Sequence, residues 1–414
     1  MRKSGETSIR FGTLSTIRLL CYGRAMLRHN LDANATSPLR AEARRALLEQ
    51  IDADGNASSV HRDGQRARAV VEAARARIAA LLGADPYDVV LTGSGTESNN
   101  LALYGAALAA PRERRRIVTT AFEHPSVLEP LRDLALRGFE LVTIAPDATG
   151  RVVPEEVAAA ADPARTALVS IMLANHEVGT LQPVAAIAAA LAGRGIVLHT
   201  DAAQACGRVP VDVASLGVDL LSVAAHKLGG PQGIGALWVR PGVRLVPHLR
   251  GGGQERGRRP GTENTALAAA FGAAAEAAAR DLAADVARLA ALRDRLERGA
   301  RERARGIEVH GSDAERLPNT TSLTLPGLGS EEAVIAFDLE GVAVSAGPAC
   351  SSGTTRGSAS LLAMGREEGA ASAIRVSLSH ASGDADVEAF LRALEAILER
   401  RAAASPAARA GGRA

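Results

Sequence analysis

Apolar positions along the chain fall into two kinds of run. From Arg66 to Leu82 (RARAVVEAARARIAALL), Val70, Val71, Ala74, Ile78, Leu81 and Leu82 share one stripe at helical spacing, and Gly83 follows as a stop. This predicts a core-facing helix. Beyond it, short β-rich runs at Asp88–Leu91, Ile117–Thr120, Glu140–Ile144, Ala167–Met172, Ile196–His199 and Leu220–Val223 alternate with helix-like or loop segments. Such alternation predicts an α/β domain with a mostly parallel sheet.

An Ala/Arg/Leu/Glu-rich stretch from about Ala273 to Arg305 reads as a long helix joining two lobes. After it come strand-like runs at Thr320–Leu325, Gly341–Ser345 and Ala373–Leu378 and helix-like runs at Glu331–Glu340 and Asp384–Arg400. The expected organisation is an extension over 1–30, a large α/β domain over 31–272, a smaller α+β domain over 273–401, and a disordered Ala/Gly/Pro-rich tail over 402–414. The extension is basic but has no long apolar segment, which argues against a secretory signal; Met26 is the preferred start.

Composition narrows the partners. The 48 basic and 46 acidic residues nearly cancel, so no charged surface for nucleic acid or membrane is expected, and no apolar run reaches the roughly 18 residues of a membrane span. Three cysteines, Cys21, Cys206 and Cys350, cannot build a disulfide framework and lack zinc-ligand spacing. A cytoplasmic protein with no metal site fits. Of the 48 Lys and Arg residues only Lys3 and Lys227 are lysines. A lysine amine can lose its proton and form a Schiff base, and an arginine cannot.

The candidate chemistry follows the strands. Gly93–Thr96, Phe122–His124, Asn175–Glu177, Thr200–Gln204 and His226–Lys227 all lie just past strand ends, where ligands bind in open α/β sheets. Ser94 and Glu97 have capping-box spacing, which leaves the amides of Gly95, Thr96 and Glu97 at a helix N-terminus suited to a phosphate. Asp201 follows an apolar run where a carboxylate needs a cationic partner, such as a pyridinium nitrogen, and Gln204 on the same turn is within reach of a ring hydroxyl. Each feature alone has a plainer reading: an ordinary capped turn, a helix cap, a leftover lysine. Together they are the three groups that pyridoxal phosphate needs.

Nine ordered blocks carry a resemblance: LDANATSPLR, GNASSVHRDGQ, GSGTESNNLA, FEHPSVLEP, ANHEVGTLQPV, HTDAAQACGRVPVDV, AHKLGGPQGIGALWV, GGGQERGRRPGTEN and SAGPACSSG. From about Leu31 to Leu398 the sequence resembles the cysteine desulfurases, class V pyridoxal-phosphate enzymes of fold type I, in the subgroup that serves iron–sulfur cluster assembly; the resemblance implies a mostly parallel, seven-stranded type of sheet with helices on both faces, plus a smaller α+β domain. The resemblance implies that Lys227 forms the Schiff base with pyridoxal 5'-phosphate and that His124 stacks on the ring and handles protons. Asp201 would pair with the ring nitrogen, and Asn175 and Gln204 would contact ring or substrate. Gly95, Thr96 and His226 would hold the phosphate with Thr262 from the second subunit of a homodimer. Asn34 and Arg375 would bind substrate, Arg375 clamping its carboxylate, and Cys350 would be the nucleophile that takes sulfur from L-cysteine, leaves L-alanine, and passes a persulfide to an iron–sulfur scaffold or another acceptor, tRNA thiolation included. Cys206, in an Ala-rich run, is read as core.

Four positions depart from the pattern. Ala224 stands where relatives carry a serine that contributes to phosphate binding. His176 replaces a second asparagine, and Gly357 and Ala359 replace a proline and a histidine after the cysteine. The competing readings are another class V enzyme, such as an aminotransferase or selenocysteine lyase, and a non-catalytic dimer. An aminotransferase has no need of Cys350, and a non-catalytic protein would be free to lose Lys227.

Overall fold

The structure is a computed structural model that describes residues 28–346 and 357–404. Cys21 and Met26, the Cys350 segment and residues 405–414 lie outside the described residues.

A seven-stranded sheet runs in the order Val89–Thr92, Gly235–Val239, Leu220–Ala224, Val197–Asp201, Thr166–Ser170, Arg116–Thr120, Glu140–Ile144. Only Gly235–Val239 is antiparallel to its neighbours. The six strands read from the sequence are all present, and this seventh, GALWV, is not among the runs read there. It pairs with strands on both sides and so needs only a short return rather than a helical crossover.

Alternate side chains of each strand enter different cores. Leu91, Val118, Val169, Leu221 and Trp238 pack with Val71, Ile78 and Phe271, while Val90, Ile117, Leu168, Leu220 and Leu237 pack with Leu101, Leu103, Leu131 and Leu134. Helix Arg62–Leu82 and the first half of Thr265–Arg303 therefore cover one face, and helices Gly95–Ala109 and Pro125–Leu136 the other. Covering both faces is what permits uninterrupted apolar strands.

The long helix is 39 residues, Thr265–Arg303, and starts earlier than its composition suggests because Asn264 caps it, accepting from the Leu267 amide at 2.9 Å. Its halves belong to different cores. Ala268, Phe271 and Ala274 sit in the large one; Leu289, Leu292, Leu296 and Ala300 join Leu323, Ile374, Phe337 and Phe390 in a second. The rings of Phe337 and Phe390 stack there at 4.9 Å. This second core lies against an antiparallel sheet ordered Ala373–Ser377, Thr320–Thr324, Glu308–His310.

Two boundaries differ from the sequence reading. Leu31, taken as the start of the large domain, is buried in the second core, and the strand before it, His29–Asn30, pairs in parallel with Val342–Ala343. The final helix, Asp384–Ala404, runs past the expected start of the tail.

Candidate active site

Six parallel strands point their carboxyl ends at one side of the sheet, and five of the connections leaving them line a cavity of about 290 Å3. The second lobe closes it with Asn34, Ala35 and Arg375.

The Val89–Thr92 strand delivers a turn and the helix Gly95–Ala109. Ser94 caps that helix, its Oγ accepting the Glu97 amide at 3.1 Å. This corrects the sequence reading: the Glu97 amide is committed, and the Gly95 and Thr96 amides remain to face the cavity. The Glu97 carboxylate reaches back to the Gly93 amide at 2.7 Å and is held by Arg259. The turn lies so close to its neighbours that side chains are excluded. A Cβ on Gly95 would sit 2.9 Å from that of Ala224, and one on Gly235 would meet the Ser94 carbonyl carbon at 2.6 Å. The result is a cradle of bare amides at the positive end of a 15-residue helix.

His124 caps the helix Pro125–Leu136. Its Nδ1 accepts the Ser126 amide at 3.1 Å and lies 2.7 Å from Ser126 Oγ, which leaves Nε2 uncommitted among the described residues. Burial holds its pKa below the ordinary value, with Lys227 adding to the effect and Asp201 opposing it. The ring is neutral at pH 7.

Asp201 ends its strand almost fully buried. One oxygen accepts from the Ala203 amide at 2.9 Å and the other from Asn99 Nδ2 at 2.8 Å. A carboxylate offers about four acceptor positions, so capacity remains for a charged donor from the cavity. Asn99, which also donates to Ser126 at 2.8 Å, is a residue that sequence reasoning missed. Its signal was the Thr96/Asn99 spacing, which puts both on one helix face.

Lys227 follows the Leu220–Ala224 strand on a 3-10 turn, Ala225–Lys227. Its Nζ donates to the carbonyls of Asn34 and, at 2.9 Å, Ala35. Burial, reinforced by Arg208 and Arg375, pushes the amine down to about 8. His226 lies 3.1 Å from Thr36 Oγ1 through its Nδ1 and is pushed down to about 4, first by burial and then by Lys227.

Arg375 sits in the Ala373–Ser377 strand with its fork half used. It donates to the His176 carbonyl at 3.0 Å and to Asp32 at 2.6 Å, and its Nε has no partner among the described residues. Among those residues, three of its five N–H groups are therefore uncommitted and available to an anion. Asn34 is fixed from every side: its amide donates to Thr320 at 3.0 Å, and its side-chain oxygen accepts from Arg208 at 2.8 Å. Gln204 lines the cavity but donates to the Asn34 carbonyl at 3.1 Å and accepts from Arg208.

Two predicted residues are elsewhere. Asn175 braces the wall from behind: its amide donates to the Phe122 carbonyl and Ser360, and its oxygen accepts the Glu177 and Val178 amides, both at 2.9 Å. With both ends of the amide committed it does not line the cavity, and its neighbour His176 does. Thr262 lines a separate cavity of about 210 Å3 with Arg259 and Glu263, so it does not complete the site of its own chain. Its segment is anchored by the buried pair Arg75–Glu255 at 2.7 Å. Cys206 is buried, as expected of a core residue, and burial pushes its thiol up.

A primary amine, a carboxylate and a helix-end anion cradle around one cavity fit an aldehyde, a ring cation and a phosphate on a single molecule. A family model described as aminotransferase class-V matches residues 29–390. The "Cysteine desulfurase IscS" of Dictyoglomus turgidum is 39% identical over 378 residues, 91% of this chain and 96% of that one. The chain belongs to the cysteine desulfurase family. Its cofactor is pyridoxal 5'-phosphate. Among solved structures, a "NIFS-LIKE PROTEIN" superposes with a TM-score of 0.84 at 33% identity, covering 90% of this chain and all of that one. "SspA in complex with cysteine" does so with a TM-score of 0.75 at 31% identity, covering 84% and 98%. As in those relatives, the sheet is of the fold type I kind, and no described helix is long and apolar enough to cross a membrane.

Proposed function

We propose that this enzyme removes sulfur from L-cysteine, giving L-alanine and a persulfide on Cys350. The observation that carries the reading is the convergence of Lys227, Asp201 and the Gly95–Thr96 amides on one cavity that Arg375 closes.

Pyridoxal phosphate, when bound, supplies an electron sink for the carbon atoms of the substrate. The residues divide the remaining work. Lys227 would hold the cofactor, and its amine, pushed down to about 8, is suited to accept and return the Cα proton. Neutral His124 would pack on the ring and offer Nε2 as a proton carrier. Asp201, its carboxylate fixed by Asn99, would hold the ring nitrogen. Gly95, Thr96 and His226 would bind the phosphate. The wall of this chain has Ala224 where a hydroxyl would serve, and Thr262 from a second subunit would add one across a homodimer. Arg375 binds the substrate carboxylate through its open N–H groups while Asp32 keeps the guanidinium oriented.

The Cys350 thiolate attacks the substrate sulfur, an S–S bond forms as the Cβ–S bond breaks, and the electron pair left on carbon is protonated to give alanine. The persulfide then passes to an iron–sulfur scaffold or another acceptor protein in the cytoplasm.

Incubation with L-cysteine and a reductant tests the reading: alanine and sulfide are expected in equal amounts. Cys350→Ser should still take up cofactor and substrate but release almost no alanine, since a hydroxyl hardly ionises where a thiol is a few per cent thiolate. Wild-type alanine production by that variant would remove Cys350 from the mechanism.

A further inference from the structure

One side chain in the cavity has no task in the mechanism above. His176 lines the cavity and is nearly fully buried, yet its Nδ1 has no hydrogen-bond partner among the described residues. An orphaned buried nitrogen is costly unless a ligand completes it. The residue is firmly placed: its carbonyl accepts from Arg375 at 3.0 Å and from Asn34 at 3.3 Å, and its ring meets His124 edge-on with centroids 5.4 Å apart.

The tautomer follows from the surroundings. Nε2 faces the Glu177 carboxylate at 3.7 Å, and a carboxylate favours the hydrogen on the nitrogen nearer to it. Burial, His124, Arg375 and Lys227 all hold the ring pKa far below the ordinary value. A neutral imidazole with its hydrogen on Nε2 presents Nδ1 as a bare acceptor. The ring is attached to the same backbone segment that Arg375 grips, so it lies beside the place where a substrate carboxylate docks.

We propose that His176 reads the substrate side chain, its Nδ1 accepting a hydrogen bond from the thiol of L-cysteine. The assignment rests on the desulfurase reading and on which groups of L-cysteine can donate. The carboxylate of L-cysteine donates nothing, its amino group is taken by the cofactor, and the S–H is the remaining donor. The product L-alanine has a methyl group there and leaves Nδ1 unpaired. His176 thereby favours substrate over product in one cavity, since a site built to accept a hydrogen bond rejects the analogue that lacks the donor.

Three variants of one experiment decide it. In wild-type holoenzyme, KM for L-cysteine and the inhibition constant for L-alanine fix the selectivity ratio. His176→Phe keeps a ring without nitrogens and should lower that ratio about tenfold, mainly by raising KM. His176→Asn places an amide oxygen near the position of Nδ1 and should recover most of the ratio. A second readout is independent of turnover: in 15N-histidine-labelled protein, the resonance missing from His176→Asn should report an unprotonated Nδ1 that shifts on adding L-serine, a non-sulfur donor analogue, and stays put with L-alanine. An unchanged ratio in His176→Phe, or a protonated or unresponsive Nδ1, overturns the proposal. Should His176→Phe fail to fold, the wild-type resonance still decides. Wild-type protein that makes no alanine from L-cysteine would instead sink the desulfurase reading itself.

Discussion

Two buried imidazoles, one inside the sheet and one past a strand end, behave differently. His199, within the sheet, has both nitrogens engaged: Nδ1 with Ser170 Oγ at 2.9 Å and Nε2 with Ser222 Oγ at 3.0 Å. Burial pushes it down to about 4. His176, in the cavity wall, is nearly as buried and held well below its ordinary pKa, but one nitrogen has no partner among the described residues. Burial and a lowered pKa therefore do not distinguish a structural histidine from a functional one. The completeness of the hydrogen bonding does. The same contrast separates Asn175, whose amide is used up inside the wall, from Arg375, which keeps three N–H groups open.

The comparison breaks if a cavity residue proves dispensable or an interior one proves chemical. The largest effect is expected for Lys227→Ala. Mass spectrometry after borohydride reduction should find no cofactor adduct, and turnover should fall by about 10^3 or more. Adduct found on Lys3 would move the site. Arg375→Ala comes next: removing a buried, charge-assisted donor should raise KM for L-cysteine by about 30-fold or more. Cys350 should react with thiol reagents as before.

A smaller effect sharpens the electrostatics. Lys227 reacts as the free amine, and its folded-state pKa is lowered from 10.5 to about 8. Uptake of pyridoxal phosphate by the apoprotein should therefore accelerate as pH rises, about tenfold per unit below 8, and level off above it. The linkage has a matching sign. Between about 8 and 10.5 the unfolded chain binds the proton that the folded one has lost, so apoprotein stability should rise with pH across that window. A rate that rises only near 10 would mean the amine is unperturbed.

The smallest effect belongs to the interior histidine. His199→Leu leaves the Ser170 and Ser222 hydroxyls without their shared partner and should cost about 1–3 kcal/mol in denaturant unfolding. The bound-cofactor absorbance should not move. A shifted absorbance would give His199 a role in tuning the cofactor and erase the contrast with His176.

Much of this was legible in the chain. Six strands announced themselves because strands covered on both faces are continuous apolar runs, and the groups following them were legible because open α/β sheets gather ligands at their carboxyl ends. The single internal lysine and the Ser94–Glu97 spacing are local facts that survive folding intact.

What the sequence could not decide is which polar atoms remain unpaired after folding. Gly235–Val239 was missed because its role depends on two strands more than a hundred residues apart in sequence at the far side, Val89–Thr92, and close by at Leu220–Ala224. Leu31 joined the second core because the chain pairs with Val342–Ala343, a partner no local pattern reveals. Asn175 and His176 are adjacent in sequence and equally polar, and only the arrival of Phe122, Ser360 and Arg375 from distant segments turns one into a brace and leaves the other facing the cavity. Residue type fixes how many hydrogen bonds a side chain can make. Only the tertiary structure decides how many of them the protein itself fills, because the partners come from elsewhere in the chain.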